Sequence, residues 1–193
     1  MKKYSGRKVF VAVFISGRGS NLKSLINFSK KKISPIKIDI VFSNNKNAIG
    51  LKFAKEKKIK IVHLKEKNFY NLEKKLVKIL NKRKIGLICL AGFMKILSKK
   101  FIRNFKGKII NIHPSLLPKY KGLNTFQKAL KSNEKMTGCT VHFVNEKLDS
   151  GKIIIKKKVN IYNDDNVETL KKKVQFEEYR AYSSAIRRIY SLN

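Results

Sequence analysis

The chain has 193 residues, of which 42% are hydrophobic, and its 46 lysines and arginines against 12 acidic residues give a formal net charge of +34. This length is typical of one domain that buries a core without disulfides or metal, so we expect a single domain over residues 1–193. The two cysteines lie inside apolar runs, which excludes a disulfide framework and favours a cytoplasmic protein. No run approaches the roughly 20 apolar residues that a membrane-spanning helix needs, which excludes membrane insertion.

The first predicted strand and helix form a βα unit. Residues 8–15 are almost all apolar and rich in β-branched and aromatic side chains, which is typical of a strand covered on both faces. Helical spacing of apolar residues follows from Asn21 onward, at Leu22, Leu25 and Ile26. A strand that passes through a short turn into a helix predicts the start of an α/β fold.

The glycine-rich turn at residues 16–20 has the position of an anion site, because its backbone N–H groups lie at the start of a helix. Leu22 stands where a dinucleotide fingerprint has its third glycine, and the Gly-Lys-Ser/Thr of a P-loop is missing. A single phosphate is therefore favoured over a pyrophosphate. A tight turn capped by Ser20 would explain the glycines equally well, but not the added Ser16 and Asn21.

Strands and helices then alternate up to residue 91. Further strands are predicted at 36–42, 59–64 and 85–91, and helices at 48–57 and 72–82. This alternation predicts a parallel sheet with right-handed crossovers. The fourth strand ends in an apolar turn, where Phe93 and Leu97 either pack in the core or line a pocket for a flat heterocycle.

The clearest chemical signal comes at the end of the fifth predicted strand, residues 108–112. Strand side chains alternate faces, so Asn111 and His113 should project to the same side, and Pro114 stiffens the exit. The carboxyl edge of an open α/β sheet is also where such folds place their ligands. A carboxamide beside an imidazole indicates acid/base chemistry next to a polarised carbonyl.

Asp149, in Leu-Asp-Ser-Gly, is a simple turn residue if it is taken alone. If the fold brings it beside His113, its carboxylate would orient the imidazole and favour its charged form. The two other histidines lie within strand patterns. We take His63 as ordinary, and we leave His142 open between a core position and a role beside the site.

The alternation changes after His113. A long proline-bearing loop leads to a predicted helix at 125–131, two strands at 139–144 and 153–161, and a last helix at about 166–189. We expect the two strands to pair antiparallel, and the acidic pair Asp164 and Asp165 suits the helix N-terminus. The whole pattern predicts a Rossmann-like α/β fold, with a mostly parallel sheet flanked by helices and an antiparallel C-terminal portion.

Taken in order and spacing, these segments resemble the phosphoribosylglycinamide formyltransferases, which are folate-dependent enzymes of purine synthesis. The resemblance covers nearly the whole chain and implies the formyltransferase fold. The motifs that carry it are residues 15–21, 42–44, 90–97, 111–120, 140–144 and 148–151, together with Val174, Gln175 and Glu178.

The resemblance implies transfer of a formyl group from 10-formyltetrahydrofolate, a co-substrate, to the amine of glycinamide ribonucleotide, without a metal. Asn111, His113 and Asp149 would be the catalytic residues. An N-terminal half, about residues 1–90, would bind phosphate, and a C-terminal half, about 91–193, would bind folate and catalyse. The implied ribonucleotide-binding residues are Gly19, Ser20, Asn21 and Glu178, and the implied folate-binding residues are Met94, Lys95, Ile96, Leu97 and Asn111.

Some positions depart from the pattern of the family. Asn124 stands where the family often has a histidine, and Phe126 replaces another frequent polar residue. Residues 68–71 lack the arginine that many relatives use near the folate, and Lys65 and Lys67 are the basic residues nearby. We expect activity to survive these changes.

Two other enzymes share the Asn/His/Asp set. Formyltetrahydrofolate deformylase, a hydrolase, normally carries an added regulatory domain, and methionyl-tRNA formyltransferase carries a tRNA-binding domain; neither fits within 193 residues.

The charge of +34 also suggests a nucleic-acid-binding module. Since the lysines are spread along the chain without a basic tail, we favour compositional drift and expect no nucleic-acid partner. The protein would act as a monomer or a weak homodimer.

Overall fold

A computed structural model of the chain describes residues 6–62, 64, 66 and 68–190. The chain divides into two compact units, Met1–Ile110 and Asn111–Asn193. In chain order the elements are β1 (Val9–Ile15), α1 (Ser20–Ser29), β2 (Ile36–Ser43), α2 (Leu51–Glu56), β3 (Lys60–Val62), α3 (Phe69–Lys82), β4 (Leu87–Leu90), α4 (Lys99–Asn104), β5 (Lys108–His113), α5 (Thr125–Lys131), β6 (Met136–Phe143), β7 (Ile153–Asn160) and α6 (Val167–Tyr190).

The first unit is built on a parallel sheet with the strand order β3-β2-β1-β4, followed by the start of β5. Strand β1 is flanked on both sides, and its residues from Val11 to Ile15 are fully buried. This burial explains its continuous apolar sequence. The predicted central first strand and the parallel arrangement are therefore confirmed.

Aromatic packing fills the core of the first unit. The ring of Phe14 lies 5.0 Å from that of Phe42, 5.4 Å from that of Phe93 and 6.3 Å from that of Phe101, measured between centroids. These tilted and edge-on contacts are the geometries that aromatic pairs prefer. Phe93 is therefore a packing residue, one of the two roles that the sequence left open for it.

Two helices of the first unit differ from the sequence-based expectation. Helix α2 has six residues, fewer than the predicted segment 48–57, because tight turns occupy the chain up to Gly50. Helix α4 was not predicted. It is also only six residues long, and the Ser98 hydroxyl caps it by accepting a hydrogen bond from the N–H of Phe101 at 3.1 Å. The predicted third strand extended to residue 64, and its position 63 lies outside the described residues.

The second unit contains the end of β5, followed in the sheet order by β6 and β7. Strands β6 and β7 pair antiparallel from Met136 opposite Asn160 to His142 opposite Ile153, as predicted. Helix α6 buries one apolar face. Its buried apolar residues are Leu170, Val174, Ala181, Tyr182, Ala185 and Ile186.

Both cysteines, Cys89 and Cys139, are free and buried, as predicted. Burial raises the pKa of both thiols, that of Cys139 to about 12, which keeps them uncharged and unreactive. Among the helices of the described part of the chain, none has the length and apolar character to cross a bilayer.

Candidate active site

Three of the sequence-predicted residues lie together in the second unit. Asn111 and His113 are two positions apart on β5 and both face Asp149, which follows β6. The Asn111 Nδ2 is 3.5 Å from Asp149 Oδ1, and the His113 Nδ1 is 3.4 Å from Asp149 Oδ2. The alternation of strand side chains thus places the amide and the imidazole against one carboxylate.

Both ring nitrogens of His113 face hydrogen-bond acceptors. Nδ1 faces the carboxylate of Asp149, and Nε2 lies 2.8 Å from the backbone carbonyl oxygen of Tyr120. The Tyr120 backbone adopts a left-handed conformation (φ 55°), and its hydroxyl donates to Glu134 at 2.8 Å. No feature of the sequence predicts this backbone contact, because it depends on the path of a loop.

Asp149 is a buried carboxylate, 9% exposed, with several donors around it. Burial alone would raise its pKa, but the nearby imidazole of His142, the N–H of Gly122 at 2.9 Å and the imidazole of His113 together outweigh burial and lower it. Asp149 is therefore held as an anion. Its own left-handed backbone (φ 45°) is a conformation that aspartate tolerates better than most residues.

His142 is the residue whose role the sequence left open, and the structure places it beside the cluster. It is 2% exposed, and its Nε2 lies 3.3 Å from Asn111 Nδ2 and 3.6 Å from Asp149 Oδ1. Its Nδ1 lies 2.8 Å from the carbonyl oxygen of Phe143, which fixes the ring orientation. His142 therefore orients the amide of Asn111, and its place near the end of a strand was the available signal.

The loop after β5 is held by hydroxyl groups. The Thr140 hydroxyl donates to the carbonyl of Ser115 at 2.7 Å and accepts from the N–H of Leu117 at 3.1 Å. Ser115 is fully buried and donates to the carbonyl of Lys119 at 2.6 Å. This network fixes the exit from His113.

The lowered pKa of Asp149 predicts a pH-dependent contribution to stability. Because the folded-state pKa lies below the ordinary value of 3.8, the ionised carboxylate stabilises the fold above that pH, and this contribution is lost as the pH falls through the lowered pKa. Urea unfolding at pH about 5 and about 3 should therefore show a smaller difference in the free energy of unfolding between wild type and Asp149→Asn at the lower pH.

The exposed Asp164 supplies the control for this measurement. Asp164→Asn should change the free energy of unfolding little at either pH. A difference between wild type and Asp149→Asn that stays constant down to pH about 3 would contradict the assigned environment of Asp149.

The glycine-rich turn of the first unit ends at Gly19, the N-cap of α1. Gly19 is left-handed (φ 73°), and no side chain caps the helix. Its backbone passes close to Gly50, since a Cβ built on Gly19 would lie 2.5 Å from the Gly50 Cα. Ser20 and Asn21 form the first turn of the helix, the position at which a helix dipole favours an anion.

The other sequence-predicted binding residues are distributed over both units. In the turn after β4, the side chains of Met94 and Ile96 are 68% and 74% exposed, whereas Leu97 is buried. This turn belongs to the first unit, together with the glycine-rich turn. Glu178 is buried on α6 in the second unit, where its charge contributes to the raised pKa of Cys139.

The departures from the family pattern have simple structural roles where they are described. Asn124 is the N-cap of α5 in a left-handed conformation (φ 59°), and Phe126 is half-buried on that helix. Asn68 caps α3 by accepting from the N–H of Tyr70 at 2.9 Å. Lys65 and Lys67, the predicted replacements for the missing arginine, lie outside the described residues, as does His63.

Within residues 6–62, 64, 66 and 68–190, no group of three histidine, cysteine or acidic side chains is arranged to hold a metal ion. The cluster around Asp149 instead pairs one carboxylate with two imidazoles and an amide. That combination suits the binding of a polar carbonyl and the movement of a proton.

The family model described as formyl transferase matches residues 9–186, nearly the whole chain. This chain belongs to the formyl transferase family. The resemblance seen in the sequence is thereby confirmed, together with the mixed sheet expected of the fold.

Individual relatives in this family are similar over most of the chain. The phosphoribosylglycinamide formyltransferase of Haemophilus influenzae is 43% identical over 180 residues, covering 92% of this chain and 85% of that protein. The trifunctional purine biosynthetic protein adenosine-3 of Gallus gallus is 42% identical over 98% of this chain, which spans 19% of its length. The crystal structure of phosphoribosylglycinamide formyltransferase from Brucella melitensis matches with a TM-score of 0.89 at 37% identity, covering 97% of both chains.

Proposed function

We propose that this chain, acting over residues 1–193, transfers the formyl group of 10-formyltetrahydrofolate to the amine of glycinamide ribonucleotide. The products would be formylglycinamide ribonucleotide and tetrahydrofolate. The observation that carries this proposal is the contact of Asn111 and His113 with the buried carboxylate of Asp149, at 3.5 and 3.4 Å, in a member of the formyl transferase family. The folate is a co-substrate, and the proposed chemistry uses no metal.

In the proposed reaction the amine nitrogen attacks the formyl carbon, and the carbonyl electrons move to the oxygen. Asn111 Nδ2 and the protonated His113 imidazole donate hydrogen bonds to this oxyanion. The bond from the formyl carbon to folate N10 then breaks, and the carbonyl re-forms. The proton lost by the amine passes through Asp149, directly or by water, to N10, so the ribonucleotide amine gives up one proton and tetrahydrofolate gains it.

The surroundings of His113 support its protonated form in this scheme. Both of its nitrogens face acceptors, an arrangement that only an imidazolium satisfies with two N–H donors. The Nε2 proton is held by the Tyr120 carbonyl at 2.8 Å. Donation to the oxyanion therefore requires substrate binding to replace this carbonyl, while Asp149 keeps its hold on Nδ1.

The binding roles follow the same proposal. Gly19, Ser20 and Asn21 would bind the ribonucleotide phosphate through the start of α1, and Glu178 would contact the ribonucleotide. Folate would be bound by Asn111 and by the turn at residues 94–97, whose exposed Met94 and Ile96 offer apolar surface to a flat ring. The positive charge of the chain would speed the capture of both anionic substrates rather than bind nucleic acid.

We further propose that the protein is cytoplasmic and acts as a monomer or a weak homodimer.

The test is a formyl-transfer assay with and without the acceptor. Purified protein is mixed with 10-formyltetrahydrofolate, and the release of tetrahydrofolate is followed while glycinamide ribonucleotide is present or absent. Release that depends on the acceptor supports the proposal. Release without it would identify a hydrolase of the deformylase kind. No release, together with a salt-sensitive shift of random duplex DNA, would favour the nucleic-acid-binding alternative.

A further inference from the structure

Ser16, the first residue after β1, connects three loops at one end of the sheet in the first unit. Its hydroxyl donates to the Asn44 Oδ1 at 2.6 Å and accepts from the N–H of Met94 at 2.8 Å. Asn44 follows β2, and Met94 belongs to the turn after β4. We call these three residues the Ser16 junction.

The Ser16 hydroxyl has one proton, so it can donate to only one partner at the junction and must accept from the other. Because the proton of Ser16 is directed to Asn44, an oxygen lone pair is left for the N–H of Met94. Alanine at position 16 would remove both hydrogen bonds at once. Threonine would keep the hydroxyl and therefore both partners.

Backbone contacts tie the same loops further. The N–H of Ser16 donates to the carbonyl of Gly92 at 3.1 Å, and the Asn45 side chain donates to the carbonyl of Ser16 at 3.3 Å. The N–H of Gly50 donates to the carbonyl of Gly17 at 3.0 Å. Two hydrogen bonds of Ser16 thus connect the glycine-rich turn to the turn after β4: its backbone N–H donates to Gly92, and its hydroxyl accepts from Met94.

We propose that Ser16 is a positioning residue that couples binding of the ribonucleotide phosphate to binding of the folate. Phosphate bound at residues 19–21 restrains the glycine-rich turn, and the Ser16 hydroxyl transmits this restraint to the N–H of Met94, at the start of the folate segment. Each substrate then tightens the binding of the other by the same factor, as linkage requires. This inference rests on the phosphate and folate positions proposed above.

The test measures tetrahydrofolate binding by anaerobic calorimetry with and without saturating glycinamide ribonucleotide, a pair that holds no formyl group and cannot react. In wild type we expect the ribonucleotide to tighten tetrahydrofolate binding at least about fivefold, and tetrahydrofolate to tighten ribonucleotide binding equally. In Ser16→Ala this factor should fall at least about twofold, toward the value that the backbone contacts alone support. Ser16→Thr should retain most of it.

Ser29→Ala is the matched control, because it removes a hydroxyl that donates at a similar distance, 2.8 Å, to the carbonyl of Ile26 within α1. It should leave the coupling factor at the wild-type value. Asn44→Ala, which removes the acceptor of the Ser16 proton, should lower the factor, and the Ser16→Ala/Asn44→Ala double variant should lower it no further.

The outcomes separate this inference from the proposed function. A wild type that transfers formyl groups but shows a factor of one, or a Ser16→Ala variant that keeps the wild-type factor, would overturn the coupling while the function stands. A Ser16→Ala variant that binds each substrate more weakly by itself, with an unchanged factor, would assign Ser16 to loop stability alone and also overturn it. A wild type that binds neither substrate would contradict the proposed function.

Discussion

Replacing His113 with alanine should lower kcat at least about a hundredfold, because the variant loses both a donor to the oxyanion and the group that Asp149 pairs with. Asp149→Asn should lower kcat to a similar extent, since the neutral amide no longer holds the imidazole in its charged form. The measurement is steady-state kcat and KM for each substrate, with circular dichroism and thermal unfolding to show that each variant is folded.

The pair should also act as a unit. Because Asp149 contacts the imidazole at 3.4 Å and both groups act in the same transition state, the His113→Ala/Asp149→Asn double variant should be slower than wild type by much less than the product of the two single effects. Asp39→Asn is the control for loss of a paired carboxylate, because Asp39 binds the exposed Arg83 at 2.7 Å in the first unit. It should keep wild-type turnover. Near-normal turnover in both His113→Ala and Asp149→Asn would refute the catalytic assignment.

Gly19→Ala should raise the KM for glycinamide ribonucleotide at least about tenfold, with a smaller effect on kcat. A left-handed backbone costs a residue with a Cβ about 1–2 kcal/mol, and a tenfold change corresponds to about 1.4 kcal/mol. The new methyl group would also lie 2.5 Å from the Gly50 Cα, so the backbone at the start of α1 must leave the geometry that we propose binds the phosphate. The KM is measured at saturating folate.

Gly17→Ala, two residues earlier in the same turn, is the matched control. A Cβ built on Gly17 meets no atom within 4 Å, so alanine fits there without displacing the backbone. We expect a KM for the ribonucleotide close to that of wild type. Equal increases in KM for Gly17→Ala and Gly19→Ala, or a Gly19→Ala variant with an unchanged KM, would contradict the proposal that the glycine-rich turn binds the phosphate.

The sequence predicted the elements whose signal is local. The apolar run of β1, the helix at residues 125–131 and the antiparallel pair β6 and β7 were all expected from periodicity, and the structure has them with small changes at their ends. Periodicity indicates these segments because the spacing of their apolar residues shows which face of each is buried. Helix α4 was not predicted; it is six residues long and begins at the Ser98 cap.

In the candidate site, too, some features were predictable from local sequence and others were not. The side chains of Asn111 and His113 were expected on one face because strand alternation is a property of the backbone. Their contact with Asp149, 36 or more positions later, was only a hypothesis, and it required the turn after β6 to bring the carboxylate to the end of β5. The sequence did not decide the role of His142, because the alternating pattern around it fits a core residue and a site residue equally well.

The sequence by itself determined the parallel α/β arrangement, the glycine-rich turn before α1, the shared face of Asn111 and His113, and the family. Tertiary structure alone decided which groups surround them: the Tyr120 carbonyl on His113, His142 on Asn111, and the Ser16 hydroxyl between Asn44 and Met94. The physical reason is that backbone periodicity is written in neighbouring residues, whereas a hydrogen-bond partner depends on strand register and loop path, which many distant residues fix together.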